Sequence, residues 1–221
     1  MTAMRSYEDG CAAAHALDLM GERWALLVAR ELLLGPKRFT DLRAGLAGIS
    51  PNVLTQRLTE LAAAAVVMRR KLAPPAATWV YELTDWGREL EAIILALGRW
   101  GARSPQRKAG APLGVDSLVL SFRTMFDAQS AAGHTARYGL HIEEQVYHAE
   151  VVSGKFQIAR GSASAPDAVL SADVPTLVEL VYEGGKFSAA LRSGRLRVSG
   201  DKRAAKRFVG LFKLPELARS P

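Results

Sequence analysis

The segment Phe39–Thr84 leaves this chain few ways to fold, because a short helix, a Ser-Pro-capped second helix and a Pro-tipped hairpin follow one another in it. Ser50 is a good N-cap, and Pro51 suits the first helical position, where a missing N–H costs nothing. Leu54, Leu58 and Leu61 recur at i, i+4 and i+7 and make one apolar stripe. The opposite face carries Asn52, Thr55, Gln56 and Thr59, all hydrogen-bonding side chains of modest size. Such a helix can rest on a core and offer short donors and acceptors to base edges in a major groove.

The hairpin extends that reading. Val66 and Val67 start a β-like run, Arg69, Arg70 and Lys71 follow, Pro74–Ala77 make a turn, and Trp79–Leu83 return with roughly alternating polarity. A basic β-ribbon after a groove-reading helix is the wing of a winged helix-turn-helix. Between Glu22 and Lys71 nine Lys/Arg face four Asp/Glu, an excess suited to a phosphate backbone. Arg38, Thr40, Arg43, Ser50, Arg69, Arg70 and Lys71 therefore join the helix-face residues as candidate DNA contacts. The alternative is a solvated charged face; the agreement of helix pattern, wing and charge favours DNA.

At 221 residues, one or two domains are expected. A hydrophobic content of 49% and a charged content of 23% are those of a folded soluble protein. The net charge of +7 makes an acidic partner plausible. No apolar run reaches membrane-span length, and MTAMRSYEDGC lacks the apolar core of a signal peptide. A single cysteine excludes an internal disulfide framework. These features together predict a cytoplasmic protein.

ARSPQRKAGAP, from Ala102, is rich in Ala, Gly, Pro and basic residues without periodicity, which predicts a linker over 104–112 between domains 1–103 and 113–218. Charge shifts across it: Pro112–Leu191 holds nine acidic and five basic residues. In the last helix Lys202, Arg203, Lys206 and Arg207 cluster. That cluster reads as a solvated helix face, with DNA or a dimer partner as the alternative.

Further helices are predicted over Cys11–Met20, over Trp24–Leu34 up to Gly35-Pro36, and from Asp85 through WGRELEAIILALGRWGAR. In the last of these Trp86, Leu90, Ile93, Leu97 and Trp100 recur with 4-3-4-3 spacing, a heptad seam widened by Ile94. The seam packs either onto its own domain or onto a second copy. Winged-helix regulators use a dimer to span two half-sites, which favours self-pairing.

LDLMGERWALLVARELLLGPKRFTDLRAGLAGISPNVLTQRLTEL and YELTDWGREL, with Cys11 ahead of them, resemble the HxlR-type winged-helix transcriptional regulators, relatives of the MarR and ArsR groups. The resemblance covers Cys11 to about Gly101. It implies a homodimer in which the helix from Ser50 reads the major groove and the Arg69–Trp79 hairpin lies near the minor groove or backbone. Such sequences generally place a glycine where Ala65 stands. A left-handed C-cap at alanine costs on the order of 1 kcal/mol, which predicts a helix that runs on slightly or ends differently here.

In that family a cysteine at the place of Cys11 can sense oxidants or electrophiles. The chemistry needs a thiolate stabilised by positive charge, and some exposure. Glu8 and Asp9 would raise the thiol pKa, a protonated His15 would lower it, and the Ala-rich helix favours an inert packed cysteine. Cys11 and His15 at i, i+4 are too few for a metal site.

Beyond the linker, Val115, Leu118, Phe122, Met125 and Phe126 form an apolar helical face. Strands are predicted over Ala136–Ile142, Gln145–Val152, Lys155–Arg160, Ala168–Ala172 and Arg195–Ser199, with helices over Val174–Tyr182 and Asp201–Phe212. The fold class is α+β, an antiparallel sheet covered by helices. SADVPTLVELVYEGGKFSAALRSGRLRVSGDKRAAKRFVGLFKLP, within about Leu113–Leu217, is similar to the sterol carrier protein type 2-like domain. The resemblance implies an apolar cavity for a lipid-like small molecule, with Phe122, Met125, Phe126, Leu177, Val181, Phe187, Leu191, Phe208 and Phe212 as candidate walls. Taken singly, each is more ordinarily a core residue, since a Met or Phe at helical spacing usually packs in the core.

His134, His141 and His148 lack a companion ligand motif and read as ordinary polar residues; no metal or cofactor is expected. No catalytic constellation stands out, which predicts a non-enzyme. The sequence thus points to a homodimeric DNA-binding transcriptional regulator whose C-terminal domain senses a hydrophobic molecule. The rival is a lipid carrier or small-molecule enzyme with an appended DNA-binding module.

Overall fold

The computed structural model describes residues 6–108 and 110–218; Met1–Arg5, part of the stretch read as lacking a leader, and Ala109 of the linker lie outside them, as do Arg219–Pro221. The chain forms two compact units, Met1–Ile94 and Leu95–Pro221.

In the first unit, α1 (Ala12–Met20), α2 (Ala25–Leu32), α3 (Phe39–Gly45) and α4 (Pro51–Ala63) precede a hairpin of β1 (Val67–Lys71) and β2 (Trp79–Leu83). Helix α2 begins one residue later than expected, because Trp24 takes a left-handed φ of 79°. The Ser50 hydroxyl accepts the Val53 N–H at 3.3 Å, the capping bond its position foretold. Leu54, Leu58 and Leu61 are buried in one core with Val28, Leu42, Leu46 and Val67. Burying each leucine is worth about 1.5–3 kcal/mol, far more than the intrinsic helix preference of the segment.

The hairpin is antiparallel, pairing Val67 with Leu83 and Lys71 with Trp79. A second bridge ties it down: the Lys37 N–H donates to the Tyr81 carbonyl at 3.0 Å and the Tyr81 N–H to the Lys37 carbonyl at 2.8 Å. Thr84 then joins the hairpin to the next helix. Its hydroxyl donates to the Ala65 carbonyl at 2.7 Å and accepts the Gly87 N–H at 2.9 Å. A Cβ at Gly87 would lie 2.1 Å from the Val66 carbonyl oxygen, so only glycine allows this approach.

The single helix expected from Asp85 is instead two, α5 (Asp85–Arg88) and α6 (Leu90–Ala102). The Glu89 N–H bonds to the Trp86 and Gly87 carbonyls, a tightened turn that ends α5 at the point where Gly87 is pressed against the Val66 carbonyl just ahead of β1. Helix α6 carries the chain from the first unit into the second.

In the second unit α7 (Val115–Met125) precedes β3 (Ala136–Ile142), β4 (Gln145–Val152), β5 (Lys155–Arg160) and β6 (Ala168–Ala172). After these come α8 (Val174–Tyr182), α9 (Phe187–Arg192), β7 (Arg197–Gly200) and α10 (Lys202–Val209). The sheet order is β5-β4-β3-β6-β7. Every pair is antiparallel except β3–β6, which is parallel: the β4–β5 hairpin takes the chain to one edge, and it returns on the far side of β3. One sheet face buries Tyr138, Leu140, Tyr147 and Leu170, while Arg137, His141, His148 and Gln157 on the other are exposed.

Under the covered face, aromatic rings pack on one another. Phe122 stacks on Phe212 at 4.7 Å and meets Phe208 edge-on at 5.6 Å, Tyr138 lies 4.9 Å from Phe208, and Phe126 stacks on Phe156 at 5.3 Å. Such pairs add about 0.5–1.5 kcal/mol beyond their buried area. Asp116 anchors α7: it accepts the Tyr147 hydroxyl at 2.6 Å and both its oxygens meet the Arg160 guanidinium.

Candidate nucleic-acid interface

Helix α4 turns its apolar stripe into the core, which leaves Asn52, Thr55, Gln56 and Thr59 exposed on one face. Gln56 Nε2 donates to Glu60 Oε1 at 3.0 Å, and the Thr59 hydroxyl donates to the Thr55 carbonyl at 2.9 Å. Both contacts are local and exposed, so a base edge can replace them at small cost. Arg38, Thr40 and Arg43 are exposed on and beside α3; the Arg38 N–H is held by Asp41 Oδ2 at 3.3 Å.

The nine Lys/Arg between Glu22 and Lys71 do not act as one surface. Lys37 and Arg30 both grip the carboxylate of Glu31, which is 2% exposed. Arg57 is 7% exposed and bonds Glu60 Oε2 at 2.9 Å and Glu22 Oε2 at 3.5 Å. These three cations hold the unit together. Gly45 completes the Glu31 site, since a Cβ there would come within 2.2 Å of Glu31 Oε2.

The wing cations differ among themselves. The Arg69 guanidinium lies over the Trp79 ring at 4.6 Å and over the Tyr81 ring at 5.9 Å, contacts that hold it against β2 while the residue stays exposed and without an ion pair among the described residues. Arg70 Nε pairs with Glu82 Oε1 at 2.6 Å across the ladder. Lys71, at the tip end of β1, is exposed. Glu82 was absent from the residues expected to matter; its place in the alternating WVYEL run offered the signal, because cross-strand neighbours of a basic strand decide which cations remain unpaired.

Of the seam, Trp86, Ile93, Leu97 and Trp100 are 47–72% exposed, whereas Leu90 and Ile94 pack against the first unit's core. The expectation of a packed Cys11 is overturned. Cys11 is exposed and stands at the N-cap of α1, where the N–H groups of Ala14 and Ala13 draw its thiol below the ordinary value. Alanine-rich sequence there marks a helix whose start faces solvent.

In the second unit Phe122, Met125, Leu177, Phe208 and Phe212 are buried, and Phe126, Val181, Phe187 and Leu191 are half-buried. His134 bonds the Tyr138 hydroxyl at 2.6 Å, while His141 and His148 are exposed on neighbouring strands. A polar cleft of about 260 Å³ opens beside His134, lined by Asp167, Asp201, Arg203 and Arg207 rather than by the apolar side chains named above.

Residues 19–109 match the HxlR-like helix-turn-helix family and residues 125–213 the SCP-2 sterol transfer family. An HTH-type transcriptional regulator of Mycobacterium bovis is 36% identical over 105 residues, 48% of this chain and 66% of that protein. The chain thus spans just under two thirds of that relative's length. The HTH-type transcriptional regulator YvaP of Bacillus subtilis is 35% identical over 85 residues, 38% of this chain and 79% of its own length. Among solved structures, the redox regulator HypR in its oxidized form is 31% identical, over 44% of this chain and all of that one, with a TM-score of 0.41. With the capped α4, the wing and the Thr84 junction inside the matched residues, this chain belongs to the HxlR-like helix-turn-helix family and carries an SCP-2 sterol transfer domain behind it.

Proposed function

We propose that the protein is a homodimeric transcriptional regulator, and not an enzyme, that binds operator DNA through α4 and the wing. The observation that carries this is the exposed row Asn52, Thr55, Gln56 and Thr59 on a helix whose other face is the core. Short polar side chains so displayed can read base edges, and the exposed Arg38, Arg43, Arg69 and Lys71 can fix the register on phosphates. The exposed Trp86, Ile93, Leu97 and Trp100 support pairing with a second copy, which would give two reading helices for two half-sites about 34 Å apart. Among the described residues no helix is long and apolar enough to cross a membrane, and we place the protein in the cytoplasm with its DNA.

The second domain is proposed to take a hydrophobic small molecule. The SCP-2 match and the half-buried Val181, Phe187 and Leu191 support this; the stacked phenylalanines would form the floor of such a site. Mass spectrometry of molecules extracted from the purified protein tests it. Salt-dependent binding to a palindromic site in the gene's own upstream DNA, weakened by the extracted compound, is the expected result. Removal of Leu113–Pro221 should leave a protein that still discriminates operator from random DNA but no longer responds to the compound. Release of the truncated protein by the same compound would move sensing to the first unit.

The exposed Cys11 favours a second reading, thiol sensing. Its exposure meets one condition for reactivity, and the Ala14 and Ala13 N–H groups, in place of a cation, draw the thiol downward. Loss of operator binding on oxidation, absent in Cys11→Ser, is the test.

A further inference from the structure

The protein's net charge of +7 is not distributed as a DNA-reading unit followed by a neutral sensor would suggest. The first unit, Met1–Ile94, holds eleven Lys/Arg and eleven Asp/Glu and is neutral. The entire excess belongs to Leu95–Pro221, and it is concentrated in Lys186–Lys213, where nine Lys/Arg against the single carboxylate of Asp201 leave +8 and the rest of the unit nets −1.

Few of those nine are spent internally. Arg195 pairs with Glu179, Lys213 with Asp127, and Arg207 donates to the Ala132 carbonyl at 3.3 Å. Lys186, Arg192, Arg197, Lys202, Arg203 and Lys206 are exposed and form no ion pair among the described residues. Asp201 is itself occupied as the N-cap of α10, accepting the Arg203 N–H at 2.7 Å. Asp167, the other acid beside Arg203, accepts the Arg137 N–H at 2.7 Å. Ordinary solvated faces mix charges of both signs; a run this one-sided repels itself and favours a polyanion.

Two polyanions could answer, and the packing decides between them. A helix that lies on an anionic membrane must place its apolar face in the lipid. The apolar face of α10 is already used: Ala205 and Phe208 are fully buried in the second unit. What α10 presents is charge alone, with Lys202 and Lys206 one turn apart, and that suits a phosphate backbone.

We infer that the basic surface of α10 and its flanks is a second, sequence-independent contact for double-stranded DNA, adding phosphate affinity to that of the few exposed cations in the net-neutral winged-helix unit. The inference rests on the DNA-binding reading above. The test uses the full-length protein with Lys202→Gln, Arg203→Gln and Lys206→Gln combined, and measures affinity for an operator fragment and a random-sequence duplex over a series of salt concentrations. The expected result is that both affinities fall by the same factor and the log–log salt slope shrinks by up to about 2.7 for each protomer on the DNA, at about 0.9 for each phosphate no longer neutralised. Arg107→Gln, Lys108→Gln and Lys155→Gln together remove the same charge outside the segment and should leave the slope within about half a unit. An unchanged slope in the first variant, or an equal drop in the second, overturns the inference. So does retained DNA binding with lost binding to phosphatidylserine vesicles, which would assign the surface to lipid. Wild-type protein that binds no DNA at all would instead overturn the regulator reading. Matching melting curves confirm that these exposed substitutions leave the fold intact.

Discussion

The Val66 N–H donates to the Leu61 carbonyl at 2.9 Å and so closes α4 across Ala65, an alanine held at φ 55°. With the Ala65 N–H bonded to the Ala62 carbonyl at 3.0 Å, this is a complete Schellman motif built without glycine. The sequence had suggested that alanine would make the helix end differently. The motif forms regardless, because Val66 and Leu61 are both buried and Thr84 holds the Ala65 carbonyl. Ala65→Gly should therefore raise stability by about 0.5–1 kcal/mol, relief of the left-handed strain exceeding the added chain entropy. Urea unfolding checks this; a lower midpoint would mean that the Cβ contributes packing that outweighs the strain.

Within the proposed interface, Gln56→Ala should relax preference at one base position by roughly 1–3 kcal/mol without weakening random-DNA binding. Selection of binding sites from a randomised pool measures it. An identical profile for the variant would show that α4 does not read bases.

Arg70 and Glu82 make a prediction of opposite signs. Glu82 occupies the guanidinium at 2.6 Å, so a phosphate must displace it. Glu82→Gln should tighten DNA binding and steepen the salt slope, while Arg70→Gln should flatten the slope by about one unit. If both variants behave like wild type in a salt titration, the pair lies outside the DNA contact.

Leu97 is 47% exposed in the single chain. Leu97→Asp would put an unpaired charge into the proposed dimer seam and should give monomers that keep their fold. Sedimentation velocity reads the mass directly, and an intact dimer would place the pairing surface elsewhere.

The Cys11 thiol is drawn below its ordinary value by the Ala14 and Ala13 N–H groups. These groups stabilise the thiolate, so the native protein should alkylate at a lower pH than its unfolded form. As the chain has one cysteine, iodoacetamide labelling followed by mass spectrometry gives the profile without interference. Coincident midpoints for native and urea-unfolded protein would deny the helix any influence on this thiol.

Local pattern was enough to place most of the elements, though not α9 or the break between α5 and α6. The Ser50-Pro51 cap, the leucine stripe of α4 and the hairpin between Val67 and Leu83 all rest on neighbours within a few residues, and they formed where the pattern put them. The family resemblances rested on such short-range order as well. Which charged side chains stay available was decided by contacts distant in sequence: Glu82 against Arg70 and Glu22 against Arg57. Tertiary packing also broke the expected Asp85 helix where Gly87 meets Val66, and placed β6 beside β3 in parallel. The physical reason is common to all four. Periodicity records which face of an element is apolar, but ion pairing, close backbone approach and strand neighbours depend on which elements the core brings together.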